Sequence, residues 1–199
     1  MLGRYQSNPR IDHWKAAKKV LRYLKGTKDY MFMYRKSKHL EVVGYSDSDF
    51  AGYIDTRKFT FGYLFQLAEG AISWKSVKQS VIATSTMEAE FVACFEATIH
   101  ALWLQNLISG HEVVDTITKP LKIYSDNSAI VFFSKNDKYS KDAKHMELKY
   151  FTVKEEVQKQ RVSLEHIRTD LMIADPLTKV TTAENRHKAL ELLGLVEGQ

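Results

Sequence analysis

Residues 40–47 read LEVVGYSD, residues 59–67 FTFGYLFQL and residues 71–84 AISWKSVKQSVIAT. All three are rich in β-branched and aromatic residues, and turn signals separate them: Asp55-Thr56-Arg57, then Glu69-Gly70. This combination predicts a three-strand antiparallel meander. From Ser85 the pattern changes to one long helix that ends near Gly110. A short strand (Leu121 to Ser125), a helix from about Asn127 and a lysine-spaced linker (Lys135, Lys138, Lys141, Lys144) follow. A helix from about His145 to Lys159, a strand from Val162 to Ile167 and one or two closing helices complete the reading. Hairpins first and β-α-β-α later predict a mixed sheet with helices packed on its faces.

Upstream, residues 8–26 read as a helix with Asn8 as its cap, Pro9 in its first turn and Gly26 as its stop. Ile11, Trp14, Ala17, Leu21 and Leu24 recur at helical spacing and form an apolar docking stripe. Lys15, Lys18, Lys19, Arg22 and Lys25 fill much of the remaining surface. Charge is concentrated here. Residues 1–40 hold 11 Lys or Arg against Asp12 and Asp29, a net +9, while the remaining residues sum to −4. A basic arm before a mildly acidic body points to a polyanionic partner, usually nucleic acid.

The 199 residues are 44% hydrophobic and 27% charged, the balance of an ordinary globular chain able to bury a core without staples. Cys94 is the single cysteine, which excludes an internal disulfide framework and a thiolate metal cluster. It suits a reducing compartment, so a cytoplasmic or nuclear location is expected. The most apolar stretch, Glu90 to Ile108, is interrupted by Glu96, His100, Gln105 and Asn106, so no membrane span is expected. The first ten residues, MLGRYQSNPR, carry no apolar targeting region.

Four acids occupy similar places in this pattern. Asp47 ends the first strand, Glu90 lies in the first turns of the long helix, Asp126 ends the short strand, and Asp175 opens the last helical region. Carboxylates at strand ends and helix starts converge at one edge of an α/β sheet. Such hard oxygen ligands suit Mg²⁺ or Mn²⁺ rather than zinc. Two such ions, about 3.5–4 Å apart, activate a water and stabilise a leaving oxygen in an in-line phosphoryl displacement. Each acid also has an ordinary use, and Asp126 before Asn127-Ser128 is placed to cap a helix. Glu88 competes with Glu90 for a role. Ser85 precedes Glu88 by three residues, the spacing of a capping box, and two residues turn a helix by about 200°, so the two glutamates cannot share a face.

The strings GYSDSDFAGYIDTRKFTFGYLF, ISWKSVKQ, STMEAEF, IYSDNSAI, KHMELKYF and IADPLTK occur in that order. Together they resemble the ribonuclease H domain of copia-type LTR retrotransposon Pol polyproteins. YQSNPRIDHWKAAKKVLRYLKGT is similar to the segment joining reverse transcriptase to that domain. The resemblance implies a ribonuclease H-like mixed five-stranded sheet flanked by helices, with an N-terminal helical extension. It divides the chain into a basic connector (1–38), a ribonuclease H-like domain (39–180) and a C-terminal helix or tail (181–199). The activity it implies is divalent-metal-dependent endonucleolytic hydrolysis of the RNA strand of an RNA–DNA hybrid, by a two-metal mechanism. The alternative is a catalytically inactive descendant that binds nucleic acid or protein.

Carried over residue by residue, Asp47, Glu90, Asp126 and Asp175 match the family's metal-binding acids. Asp47 would bridge two Mg²⁺ or Mn²⁺ ions, Glu90 and Asp126 would join it on one, and Asp175 would complete the other. The implied partners are an RNA–DNA hybrid and a reverse transcriptase domain. The family's histidine before the final acid has its nearest counterpart in His166, better read as a solvated strand-end residue, and His145 is placed to cap the following helix. Asp49 reads as a hairpin-turn residue. Thr86, Asn127 and Ser128, with Lys75, Lys78 and Gln79 on the third strand, are the candidate substrate contacts near the acids, each equally readable as an ordinary cap or exposed strand residue, and Trp74 is expected to be core or half-buried packing. Phe59 and Phe61 depart from the small hydroxyl residues usual in the family, and residues 181–196 look like a short amphipathic helix.

Overall fold

The computed structural model describes residues 7–34, 36, 40–49, 59–78, 85–110, 120–135, 147–179 and 195–197. In chain order these form α1 (Ile11–Gly26), β1 (Tyr30–Phe32), β2 (Val42–Asp49), β3 (Thr60–Leu67), β4 (Gly70–Lys78), α2 (Thr86–Gly110) and β5 (Leu121–Ser125). There follow α3 (Ser128–Lys135), α4 (Glu147–Gln158), β6 (Val162–His166), a 3₁₀ turn (Thr169–Leu171), α5 (Asp175–Thr178) and β7 (Leu195–Glu197). The main sheet has five strands in the order β4-β3-β2-β5-β6. β2, β3 and β4 pair antiparallel, whereas β5 and β6 add in parallel to β2. Antiparallel neighbours need only short turns, but each parallel addition needs a crossover, which α2 and the α3–α4 pair supply.

Alternation along β3 places Phe61, Tyr63 and Phe65 on the face under α2, and Leu64 on the other face with Ala71 and Ile173. Each of these large buried side chains contributes about 1.5–3 kcal/mol through burial. Phe59 and Phe61 are core residues, both 2% exposed, which is why this chain uses aromatics there. α2 lies close to the sheet because Ala89, Ala93, Ala97 and Ala101, one turn apart, are all buried and small. Gly44 on β2 leaves the room that the Phe65 ring fills, since a Cβ there would stand 2.6 Å from the ring. By length and composition α2 is long and apolar enough to cross a membrane, a test that the core helix of a soluble protein also passes. Here that composition packs α2 on the sheet, with ten of its residues buried.

Several boundaries differ from expectation. The first helix is capped by Arg10 rather than Asn8, and the Arg10 backbone N–H donates to His13 Nδ1 at 3.1 Å. β2 runs on past Asp47 to Asp49, so Asp49 is a strand residue opposite Thr60 and not a turn residue. β4 ends at Lys78, and residues 79–84, read as more of this strand, lie outside the described residues. Residues 195–197 are strand rather than helix, paired antiparallel with β1. That two-stranded ribbon joins segments far apart in sequence and left no local signal. α1 has no buried residue, so its predicted stripe (Trp14, Leu21, Leu24) is exposed.

Candidate functional site

The parallel register decides where the acids meet. Val43 lies opposite Lys122 and Tyr45 opposite Tyr124, with the two tyrosine rings 5.4 Å apart. Two residues further along each chain stand Asp47 and Asp126. They share parity, so both carboxylates leave the sheet on the same side. β5 ends at Ser125, and the cap of α3 falls to Asn127, whose Oδ1 accepts from the Ala129 N–H at 3.0 Å. Asp126 is therefore not the cap, and its Oδ2 accepts from Thr169 Oγ1 at 3.1 Å.

Glu90 comes from the other side of the sheet, on the first turns of α2. The start of α2 is fixed by Ser85, whose Oγ accepts from the Glu88 N–H at 3.2 Å. Glu88 thus belongs to the cap, and the turn between the two glutamates carries Glu90 inward, to 7% exposure. One carboxylate oxygen each from Asp47, Glu90 and Asp126 lies within 4.8 Å of the others.

Electrostatics make this grouping costly on its own. Burial is the main cause that raises the Asp47 carboxyl to about 7, with Asp175 and Asp126 adding to it and Thr178 and Lys179 opposing. Burial likewise raises Glu90 to about 8, helped by the charges of Asp47 and Asp126. Glu90 Oε2 is buried and has no hydrogen-bond partner. Three converging carboxylates, two of them buried and one with an unpartnered oxygen, fit a hard divalent cation, which supplies the missing charge and ligand demand.

Asp175 is not in this group of three. It opens α5 and is tied to Asp47 through Lys179, whose Nζ is 2.8 Å from Asp175 Oδ1 and 3.4 Å from Asp47 Oδ1. Burial works against the Lys179 ammonium, but its bond to Asp175 and the charges of Asp47 and Asp175 outweigh that and hold its pKa above the ordinary lysine value. The neighbouring Thr178 hydroxyl donates to Asp47 Oδ2. Both residues reach Asp47 because Gly62, its partner on β3, has no side chain. A Cβ at Gly62 would meet Leu177 Cβ at 2.8 Å and Thr178 Cγ2 at 3.0 Å. Ser76 Oγ then pins α5 by donating to the Leu177 carbonyl at 2.5 Å. Thr178 and Lys179 were not singled out in the sequence, although Lys179 stands four residues after Asp175, the spacing of a helical ion pair.

The remaining expected residues divide. His166 ends β6, exposed, with Nε2 donating to the Asp126 carbonyl at 3.2 Å. Lys75 is held on the α2 side, 3.5 Å from Glu96 and over the Phe61 ring. Thr86 and Ser128 are exposed at the starts of α2 and α3. Lys78 ends β4, and Gln79 and His145 lie outside the described residues. Trp74 is 53% exposed rather than core, because β4 turns it away from α2, and Phe32 packs on it with ring centroids 5.7 Å apart.

A five-stranded sheet in this order, with an acid on the central strand, one on the crossover helix and one after the next strand, is the ribonuclease H-like arrangement. Among solved structures, a ribonuclease H1 in complex with an RNA/DNA hybrid matches 69% of this chain and 94% of its own, with a TM-score of 0.51 and 18% identity. No protein-family profile matches the sequence. The retrovirus-related Pol polyprotein of transposon TNT 1-94 from Nicotiana tabacum is 35% identical over 195 residues, 98% of this chain. That of transposon RE2 from Arabidopsis thaliana is 34% identical over 178 residues, 89% of this chain. The chain belongs to the copia-type retrotransposon Pol family, of which it carries the ribonuclease H domain. It spans 14% and 12% of the lengths of those two polyproteins.

Proposed function

We propose that this chain hydrolyses the RNA strand of RNA–DNA hybrids as a divalent-metal-dependent endonuclease, as in retrotransposon reverse transcription. The observation that carries the reading is the convergence of Asp47, Glu90 and Asp126 within 4.8 Å on a ribonuclease H-like sheet. In this reading Asp47, Glu90 and Asp126 hold one Mg²⁺ or Mn²⁺, and Asp47 and Asp175 hold a second. The ions supply Lewis acidity, lowering the pKa of an attacking water and neutralising the leaving oxygen. The protein keeps the carboxylates aimed inward: Asn127 takes over the helix cap, Ser85 fixes the first turn of α2, and Thr169 orients Asp126.

Hybrid recognition in this reading runs through the ribose 2′-hydroxyls and the backbone, with Thr86, Asn127 and Ser128 beside the acids as contacts. α1 adds basic charge for the phosphates, and its exposed Trp14, Leu21 and Leu24 meet a reverse transcriptase domain. A cleavage assay on an RNA–DNA hybrid tests the reading, with Mg²⁺, Mn²⁺ or EDTA and with duplex DNA as control. Cleavage is expected with either metal and is lost in EDTA. Asp126→Asn removes one charged ligand while keeping the shape, and should abolish cleavage in a folded protein. Near-normal cleavage by that variant refutes the assignment. Hybrid binding by the wild type without cleavage under any condition supports the non-catalytic alternative.

A further inference from the structure

We propose that Lys179 is the resident cation of the Asp47–Asp175 half of the site, so that a second divalent ion enters there only by displacing its ammonium. The inference rests on the acidic group being a metal site. The two halves are built differently. Asp47, Glu90 and Asp126 bring three carboxylates together, and among the described residues no lysine or arginine is ion-paired with Glu90 or Asp126. Asp47 and Asp175 share one ammonium, at 3.4 and 2.8 Å. The first half therefore has the greater demand for positive charge, and the second has its demand already partly met.

The ammonium is placed there by the fold. Leu177 lies against the bare backbone of Gly62, the Leu177 carbonyl accepts from Ser76, and the Thr178 hydroxyl is bonded to Asp47. The backbone of α5 is held at three points, so the flexible four-carbon stem of Lys179 is the part free to carry the charge in or out. Lys179 is 39% exposed, which leaves it a path to water. Loading is then ordered: one ion at the three-carboxylate half, and a second only in competition with Lys179.

The test is a Mn²⁺ titration of the whole chain, read by calorimetry and by electron paramagnetic resonance, for wild type, Lys179→Met and Lys179→Arg. The wild type should bind one Mn²⁺ well and a second weakly. Lys179→Met should bind the second at least about fivefold more tightly, the floor set by removing one unit charge a few ångströms away even in a water-like dielectric. Lys179→Arg, which keeps the charge, should behave as wild type. Equal second-ion affinity in wild type and Lys179→Met overturns the inference while one-ion binding leaves the metal site standing. No Mn²⁺ binding by the wild type overturns both. If Lys179→Met does not fold, acylation of Lys179 in the wild type, followed by mass spectrometry across a Mg²⁺ titration, gives the answer. Its reactivity should rise as the second ion loads, and constant reactivity overturns the inference.

Discussion

Glu90→Gln isolates the cost of the buried acid. The substitution keeps the shape of the side chain and removes its charge. In the fold, Glu90 keeps its proton to about pH 8, against an ordinary value of 4.5, because it is buried beside Asp47 and Asp126. Between those two values the unfolded chain releases the proton and the metal-free fold does not. Stability therefore falls as pH rises, by up to about 1.4 kcal/mol per pH unit, and levels off once the folded group also ionises. The accumulated loss is on the order of a few kcal/mol by pH 8, and a glutamine at this site has none of it. At about 2–4 °C per kcal/mol for a chain of this size, metal-free Glu90→Gln should match wild type near pH 5 and melt several degrees above it at pH 8. With saturating Mg²⁺ the order reverses, because the wild-type carboxylate gains a ligand bond and the amide does not. The assay is thermal unfolding by circular dichroism from pH 5 to 9, in EDTA and in Mg²⁺, beside hybrid cleavage, which the variant should lose. A variant that melts with wild type at every pH in EDTA, and gains as much from Mg²⁺, refutes the reasoning.

Gly62→Ala should drive α5 off β3, lowering stability by about 1–3 kcal/mol and reducing cleavage by moving Asp175 and Thr178 from Asp47; unchanged melting and cleavage would show that α5 adapts. Ser85→Ala removes the acceptor for the Glu88 N–H and should cost about 1 kcal/mol with cleavage retained, and Glu88→Ala should likewise keep most cleavage while loss of its part in the cap costs on the order of 1 kcal/mol. Removing residues 1–38 takes away all 11 basic residues of the arm, so hybrid binding should weaken and its dependence on salt flatten. An unchanged slope of log affinity against log salt counts against a role for the arm in phosphate binding.

Much of the fold was legible because its signals are local. The β-branched and aromatic runs at 40–47 and 59–67 announce strands wherever they are placed. Ser85 opens a helix by accepting from an N–H three residues on, and no distant contact is needed for that. The ordered motifs likewise singled out Asp47, Glu90, Asp126 and Asp175 as one set. Where local signals mislead, a tertiary contact is the reason. Trp74 reads as packing from its strand but faces outward because α2 covers the other side of β4, and β1 and β7 pair across nearly the whole chain.

The division is sharpest within the acidic site. The residue types and their order along the chain are properties of the sequence alone, and so is the chemistry that such hard oxygen ligands favour. Which acids touch is not. Asp47 meets Asp126 through the parallel register that sets Tyr45 opposite Tyr124, and a shift of one residue would send one of the two carboxylates to the opposite face. Asp175 is tied to Asp47 through a lysine that reaches Asp47 across 132 residues of chain. It does so only because Gly62 lets a four-residue helix lie flat on the strand. Spacing along the chain carries no information about either contact, since both depend on how separately formed elements close on one another to bury their apolar faces.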